Sequence, residues 1–307
     1  MIGRQIAWVL ALGVLAISAG SIFARLSQLA AGTTGPGYSL VICGVRLAVA
    51  SLLLAPMWRK IPRPSAMPAA WRASCLAGVC MGVHFATWIT SLAYTSIVAS
   101  TTLVTSTPIW VALIGWVFWG ERPSGRTALG IAVAIAGAVI IGVAQTSAAG
   151  SDPLLGNALA LLGAVASATY FLLGRRAQQA GFSVGVHATV ANATGALLVL
   201  PLPWLFGVGY GGWPAMAYVW LVLMAVFPQL VGHTCFNWAM RYGTPVVVAL
   251  VLLAEPVGAS VLAYLVFGEV IGAAVLAGAL TLLVGVALAV LGTARAEPVE
   301  PAGEGAR

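Results

Sequence analysis

Glu255 sits in the stretch LLAEPVGASVLAYLVFGE, positions 252 to 269, near the centre of an apolar run long enough to cross a bilayer. A carboxyl group at that depth costs roughly 2.5 to 3.5 kcal/mol on insertion scales. It must therefore be hydrogen-bonded to a neighbouring helix or used, in handling protons or substrate. Arg46 poses the same question in the second apolar run, about 10 Å below the outer surface if that run starts near Ser39 and rises 1.5 Å per residue. Its guanidinium suits a substrate carboxylate; it equally suits a pair with Glu255 or with the free carbonyls of a broken helix.

Two polar stripes accompany these charges. His84, Thr87, Trp88 and Ser91 share one helical face and offer imidazole, hydroxyls and indole; Gln229, His233, Asn237 and Arg241 recur every four residues in a later run. Stripes that meet at the bilayer midplane would line a substrate pathway, so His84, Trp88, His233 and Asn237 are substrate-binding candidates. The run from Ser100 to Thr107 carries too many hydroxyls for one face, and some must bond back to their own backbone. Thr101, Thr105 and Pro108 share a face there, which makes the two threonines cavity-lining candidates. Tyr170 and Ser18 are further lining candidates. Pro108 and Pro256 each remove a backbone donor and predict helix kinks near the midplane.

Catalytic chemistry has no comparable support. The sequence contains no His-Glu-x-x-His motif, no Gly-x-Ser-x-Gly elbow and no nucleotide-binding loop, and Cys43, Cys75, Cys80 and Cys235 lie in apolar stretches without metal-ligand spacing. No enzyme activity, metal or cofactor is expected, and transport driven by the chain's own ATP hydrolysis is excluded.

The elements that must position these residues follow from composition. Hydrophobic residues make up 61% of the chain and charged residues 7%, the balance of an integral membrane protein. The net charge of +7 comes from basic residues scattered between apolar runs, which argues against nucleic acid and for a topological role. Turn-forming breaks near AYTS (93 to 96) and GVGYGGWP (207 to 214) divide the two longest runs, and ten transmembrane helices result. With both termini cytoplasmic, Arg25 alone falls outside and Arg46 lies within a span, while the other basic residues all fall inside. The tail from 293 to 307 is polar and reads as a disordered cytoplasmic end.

The chain also repeats itself. Displaced by 148 positions, residues 92 to 121 fall on 240 to 269 without a gap: Tyr94 on Tyr242, Pro108 on Pro256, Gly120-Glu121 on Gly268-Glu269. Thr107 is the counterpart of Glu255. Five spans per half is an odd number, so residues 1–148 and 149–292 form two repeats of inverted topology, the geometry of alternating access around a midplane site. Glycines at 130 and 137, and at 278, 285 and 292, recur every seven residues and predict close helix packing.

These doubled Tyr, Pro and Gly-Glu anchors, with AEPVGA at Glu255 and RLAVASLLL at Arg46, resemble the drug/metabolite transporter superfamily, and within it the EamA-type ten-helix exporters, of which the YddG amino acid exporters are one group. The resemblance implies a secondary carrier of small metabolites, commonly an amino acid exporter. The expectation is a multi-pass protein of the bacterial inner membrane, working as a monomer on a small-molecule substrate. The same fold would serve a carrier of cationic drugs or other metabolites.

Overall fold

The computed structural model describes residues 2–119, 124–144, 151–236 and 251–294. Regular structure among them is helical throughout: α1 (Ile2–Ala31), α2 (Pro36–Leu53), the single turn α3 (Ala55–Trp58), α4 (Pro68–Ser91), α5 (Ile97–Val104), α6 (Thr107–Trp119), α7 (Gly125–Ala144), α8 (Pro153–Gln179), α9 (Val184–Val199), α10 (Ala215–Met224), α11 (Ala254–Phe267) and α12 (Ala273–Ala294). A 3-10 segment covers Leu202–Phe206, and π-helical turns cover Ala225–Gly232. The expectations for Glu121, Asn237, Arg241, Tyr242 and residues 295–307 lie outside the described residues.

Helix starts follow local chemistry. Pro36, Pro68 and Pro153 occupy first turns, where their missing N–H costs nothing. Ser96, Asp152 and Ser183 cap α5, α8 and α9 by accepting from Ala99, Leu155 and Val186. Among the described residues, 7 helical stretches are long and apolar enough to cross a membrane, and three shorter apolar helices accompany them: Gly125–Ile141, Ala254–Phe267 and Ala273–Ala289. Large apolar side chains such as Leu15, Val117, Leu197 and Leu265 point outward, whereas Ser27, Gln28, Ser74 and Asn192 are buried. Apolar outside and polar inside is what lipid demands, and the protein is a multi-pass membrane protein.

Helix α4 packs between α8 and α9; α2 lies on α9 and the π turns; α1 runs along α10, the π turns and α11. These contacts bring α2, α4, the π turns and α11 around one interior region. To the side, α7 and α12 form a tight pair. A Cβ at Gly130 would run into the backbone of Ala289, and one at Gly278 would lie 2.9 Å from Ile141 N, so the two backbones touch where the glycines fall.

Three helix breaks shape the interior. Helix α5 stops at Val104 and α6 begins at Thr107, because Pro108 cannot donate to the Val104 carbonyl. Thr107 Oγ1 donates to it instead, at 2.9 Å. Helix α11 likewise begins at Ala254, just before Pro256, after a non-helical turn at Leu253. The third break corrects the continuous α-helix that the four-residue spacing of Gln229 and His233 implies. Pro228 lies inside π-helical turns, and His233 N donates five residues back to Pro228 O. A proline deprives one carbonyl of its α-helical donor, and the wider π spacing shifts that carbonyl to the next N–H.

Candidate substrate-binding site

Arg46 on α2 is the centre of the interior. Its side chain is only 2% exposed. Nε donates to Gln229 Oε1 at 2.7 Å and Nη2 to His233 Nε2 at 3.5 Å. Arginine has no acceptor, so His233 must accept. Gln229 Nε2 in turn donates to Asn192 Oδ1 at 3.1 Å, and Asn192 Nδ2 donates to the Ala188 carbonyl at 2.8 Å. An amide relay from the π turns and α9 thus fixes the guanidinium from behind. In front, its central carbon lies 3.9 Å from the centre of the Phe85 ring and 5.8 Å from that of Trp88, both on α4.

The aromatic wall is itself positioned. His84 Nδ1 donates to the Gly163 carbonyl of α8 at 2.9 Å, and its ring runs parallel to that of Trp88, with centroids 6.1 Å apart and planes at 8°. Phe85 meets His233 edge-on at 6.0 Å. His84, Trp88, His233 and Arg46, taken from α2, α4 and the segment after the π turns, therefore form one cluster.

Glu255 joins this cluster without bonding to it. Its carboxyl interacts electrostatically with Arg46. Among the described residues the carboxyl takes no hydrogen bond and forms no ion pair, so the direct Arg46–Glu255 pair that the sequence allows is not made. Gln229 occupies the guanidinium edge in its place. Only the backbone carbonyl of Glu255 is tied, accepting from Ser18 Oγ at 3.3 Å. Ser18 is thereby spent on packing α1 against α11.

The remaining candidates lie in other environments. Thr101 Oγ1 donates to the Ile97 carbonyl at 2.7 Å and Thr105 Oγ1 to the Thr101 carbonyl at 2.6 Å; both residues are buried, with their hydroxyls committed to the helix backbone. Tyr170 stacks on His187, whose Nδ1 shares a 2.9 Å hydrogen bond with Ser74 Oγ.

The model of the EamA-like transporter family matches residues 5–143 and, a second time, residues 154–291. The chain belongs to that family. An uncharacterized transporter of Clostridium kluyveri is 25% identical to this EamA-like transporter over 199 residues, 64% of each chain, so the match spans just under two thirds of that relative's length. A crystal structure with 19% sequence identity superposes with a TM-score of 0.60 over 96% of this chain and 99% of that one, which establishes a shared fold.

Within this EamA-like transporter three contributors to the interior are missing from the candidates that the sequence suggests. Phe85 carries no polar atom to mark it among lipid-facing neighbours. Asn192 and His187 are isolated polar residues in one apolar run, and each bears the same signal that singles out His84. The two family matches also divide the cluster: Arg46, His84 and Trp88 come from the first, and Asn192, Gln229, His233 and Glu255 from the second.

Proposed function

We propose that this EamA-like transporter is a secondary carrier that exports amino acids or related small metabolites across a bacterial inner membrane by alternating access. One observation carries the reading: a polar cluster with unspent groups sits in the apolar interior where residues of both matched halves meet. Charged groups at such depth are costly and mark substrate or ion pathways. In this reading the three shorter apolar helices also cross, making ten spans in two inverted sets of five, with both termini cytoplasmic. His84, Trp88, His233, Arg46 and Glu255 contact the substrate as the halves rock, and the breaks at Pro108, Pro228 and Pro256 absorb the motion. The resemblance to the YddG group favours amino acids, whereas the Glu255 carboxyl, unpaired among the described residues, also suits a cationic drug.

The test is uptake of labelled amino acids into everted membrane vesicles, with and without an imposed proton gradient. The expected result is accumulation above vesicles lacking the protein, lost when His233 or Trp88 is replaced by alanine at matched expression. Uptake equal to the empty control for every amino acid would overturn the reading.

A further inference from the structure

Arg46 leaves one guanidinium nitrogen, Nη1, without a partner. Nε and Nη2 have partners, but Nη1 is buried with no hydrogen-bond acceptor. The indole Nε1 of Trp88 is also buried and unpartnered, on a ring whose centre lies 5.8 Å from the guanidinium carbon. Unmet N–H donors on two buried nitrogens of one cluster are expensive, and a site that holds them is completed by an acceptor with negative charge. The Asn192–Gln229 relay behind Arg46 keeps the guanidinium from turning to find one elsewhere.

Glu255 is the mirror of this arrangement. Among the described residues its carboxyl accepts from no donor, and it lies within electrostatic reach of Arg46 without joining it. A direct ion pair would satisfy both groups at once. Their separation leaves one positive and one negative end within a single cluster, with the parallel His84 and Trp88 rings beside them.

We infer that the site recognises a zwitterion: a carboxylate bound by Arg46 Nη1 and Trp88 Nε1, and an ammonium bound by the Glu255 carboxyl. This rests on the transport reading above and narrows it, because a ligand lacking either charge leaves one end of the cluster unpaired. A planar cation would place its charge near Glu255 but bring no acceptor to Arg46. An N-blocked acid would do the reverse.

The experiment measures binding to the full-length protein purified in detergent, by tryptophan fluorescence and thermal shift. The probes are the twenty amino acids, the carboxamide of each and the N-acetyl derivative of each. At least one amino acid is expected to bind, with its carboxamide and N-acetyl forms each at least tenfold weaker. Arg46→Gln should abolish the preference over the carboxamide, and Glu255→Gln the preference over the N-acetyl form. Trp88→Phe keeps an aromatic side chain but removes the indole N–H together with the five-membered ring, so it tests the subsite even if Arg46→Gln fails to fold; it should weaken the acid several-fold more than the carboxamide. Equal binding of acid and carboxamide, equal binding of acid and N-acetyl form, or no binding by any amino acid would overturn the assignment. Selective zwitterion binding without vesicle transport would sink the carrier reading alone, while transport of carboxamides at the rate of acids would sink the subsite alone.

Discussion

Arg25 of α1 and Glu269, just past the C-terminal end of α11, form an ion pair at 2.8 Å that ties the first matched half of the chain to the second. The pair is the middle of a larger knot. Arg25 Nη2 also donates to the carbonyls of Leu92 and Thr95, and Glu269 Oε1 accepts from Ile97 N in the first turn of α5. One end of the interface between the halves is therefore closed by charge, with both side chains roughly one-fifth exposed, at 22% and 17%.

Breaking the knot should cost more than a surface pair and should resist repair. Glu269→Gln or Arg25→Gln is expected to lower stability by about 1 to 3 kcal/mol, measured by thermal unfolding in detergent, because each leaves a partner half-buried and unsatisfied. Swapping the charges, Arg25→Glu with Glu269→Arg, should fail to restore it. A glutamate at 25 cannot donate to Leu92 and Thr95, and an arginine at 269 cannot accept from Ile97. Full recovery in the swap would show that the pair acts by charge attraction alone.

The α7–α12 pair predicts a sharp contrast among glycines. Gly278→Ala and Gly130→Ala should each destabilise by about 1 to 3 kcal/mol, since the new methyl meets backbone that cannot move aside. Gly125→Ala, at the start of α7, meets nothing within 4 Å and should be neutral or slightly stabilising. Equal effects at the three sites in a thermal melt would refute the close contact.

At Pro108 the prediction is a coupling. Thr107 Oγ1 serves the Val104 carbonyl that the proline leaves without its α-helical donor. Thr107→Val should cost about 0.5 to 1.5 kcal/mol in the native background. In a Pro108→Ala background, where residue 108 can donate to that carbonyl, the same change should cost close to nothing. A double-mutant cycle with no interaction energy would mean that the hydroxyl plays no such part.

What can be read from the sequence divides along a physical line. Residues whose polarity is anomalous in an apolar run, Arg46, His84, Trp88 and His233, stand out from their neighbours by residue type alone, and the fold gathers them. Phe85 cannot stand out, because an aromatic ring against a guanidinium and one against lipid have the same sequence signature. The π turns are legible in principle: Pro228 follows the same donor-removal logic as Pro108 and Pro256, yet a regular four-residue spacing around it suggests an unbroken helix. Thr101 and Thr105 show that a shared face does not say where its hydroxyls are spent. A hydroxyl in an apolar helix finds its own carbonyl at i−4 more cheaply than it finds a distant partner.

Glu255 supplies the last prediction, because among the described residues its carboxyl makes no hydrogen bond or ion pair. The Ser18 hydroxyl reaches only its backbone carbonyl, which any residue provides, and no described side chain meets the carboxyl oxygens. Glu255→Gln keeps the side chain's shape and removes both its charge and its proton exchange. The variant should insert and melt like the native protein, and Glu255→Ala should melt within about 1 kcal/mol of it, since no hydrogen bond is lost. Gradient-driven uptake into everted vesicles should nevertheless vanish in both. A structural carboxyl would give the reverse pattern: glutamine nearly silent in transport, alanine clearly destabilised. Uptake measured across a range of external pH, at matched expression, separates the two, and a glutamine profile that overlays the native one would remove Glu255 from the transport cycle.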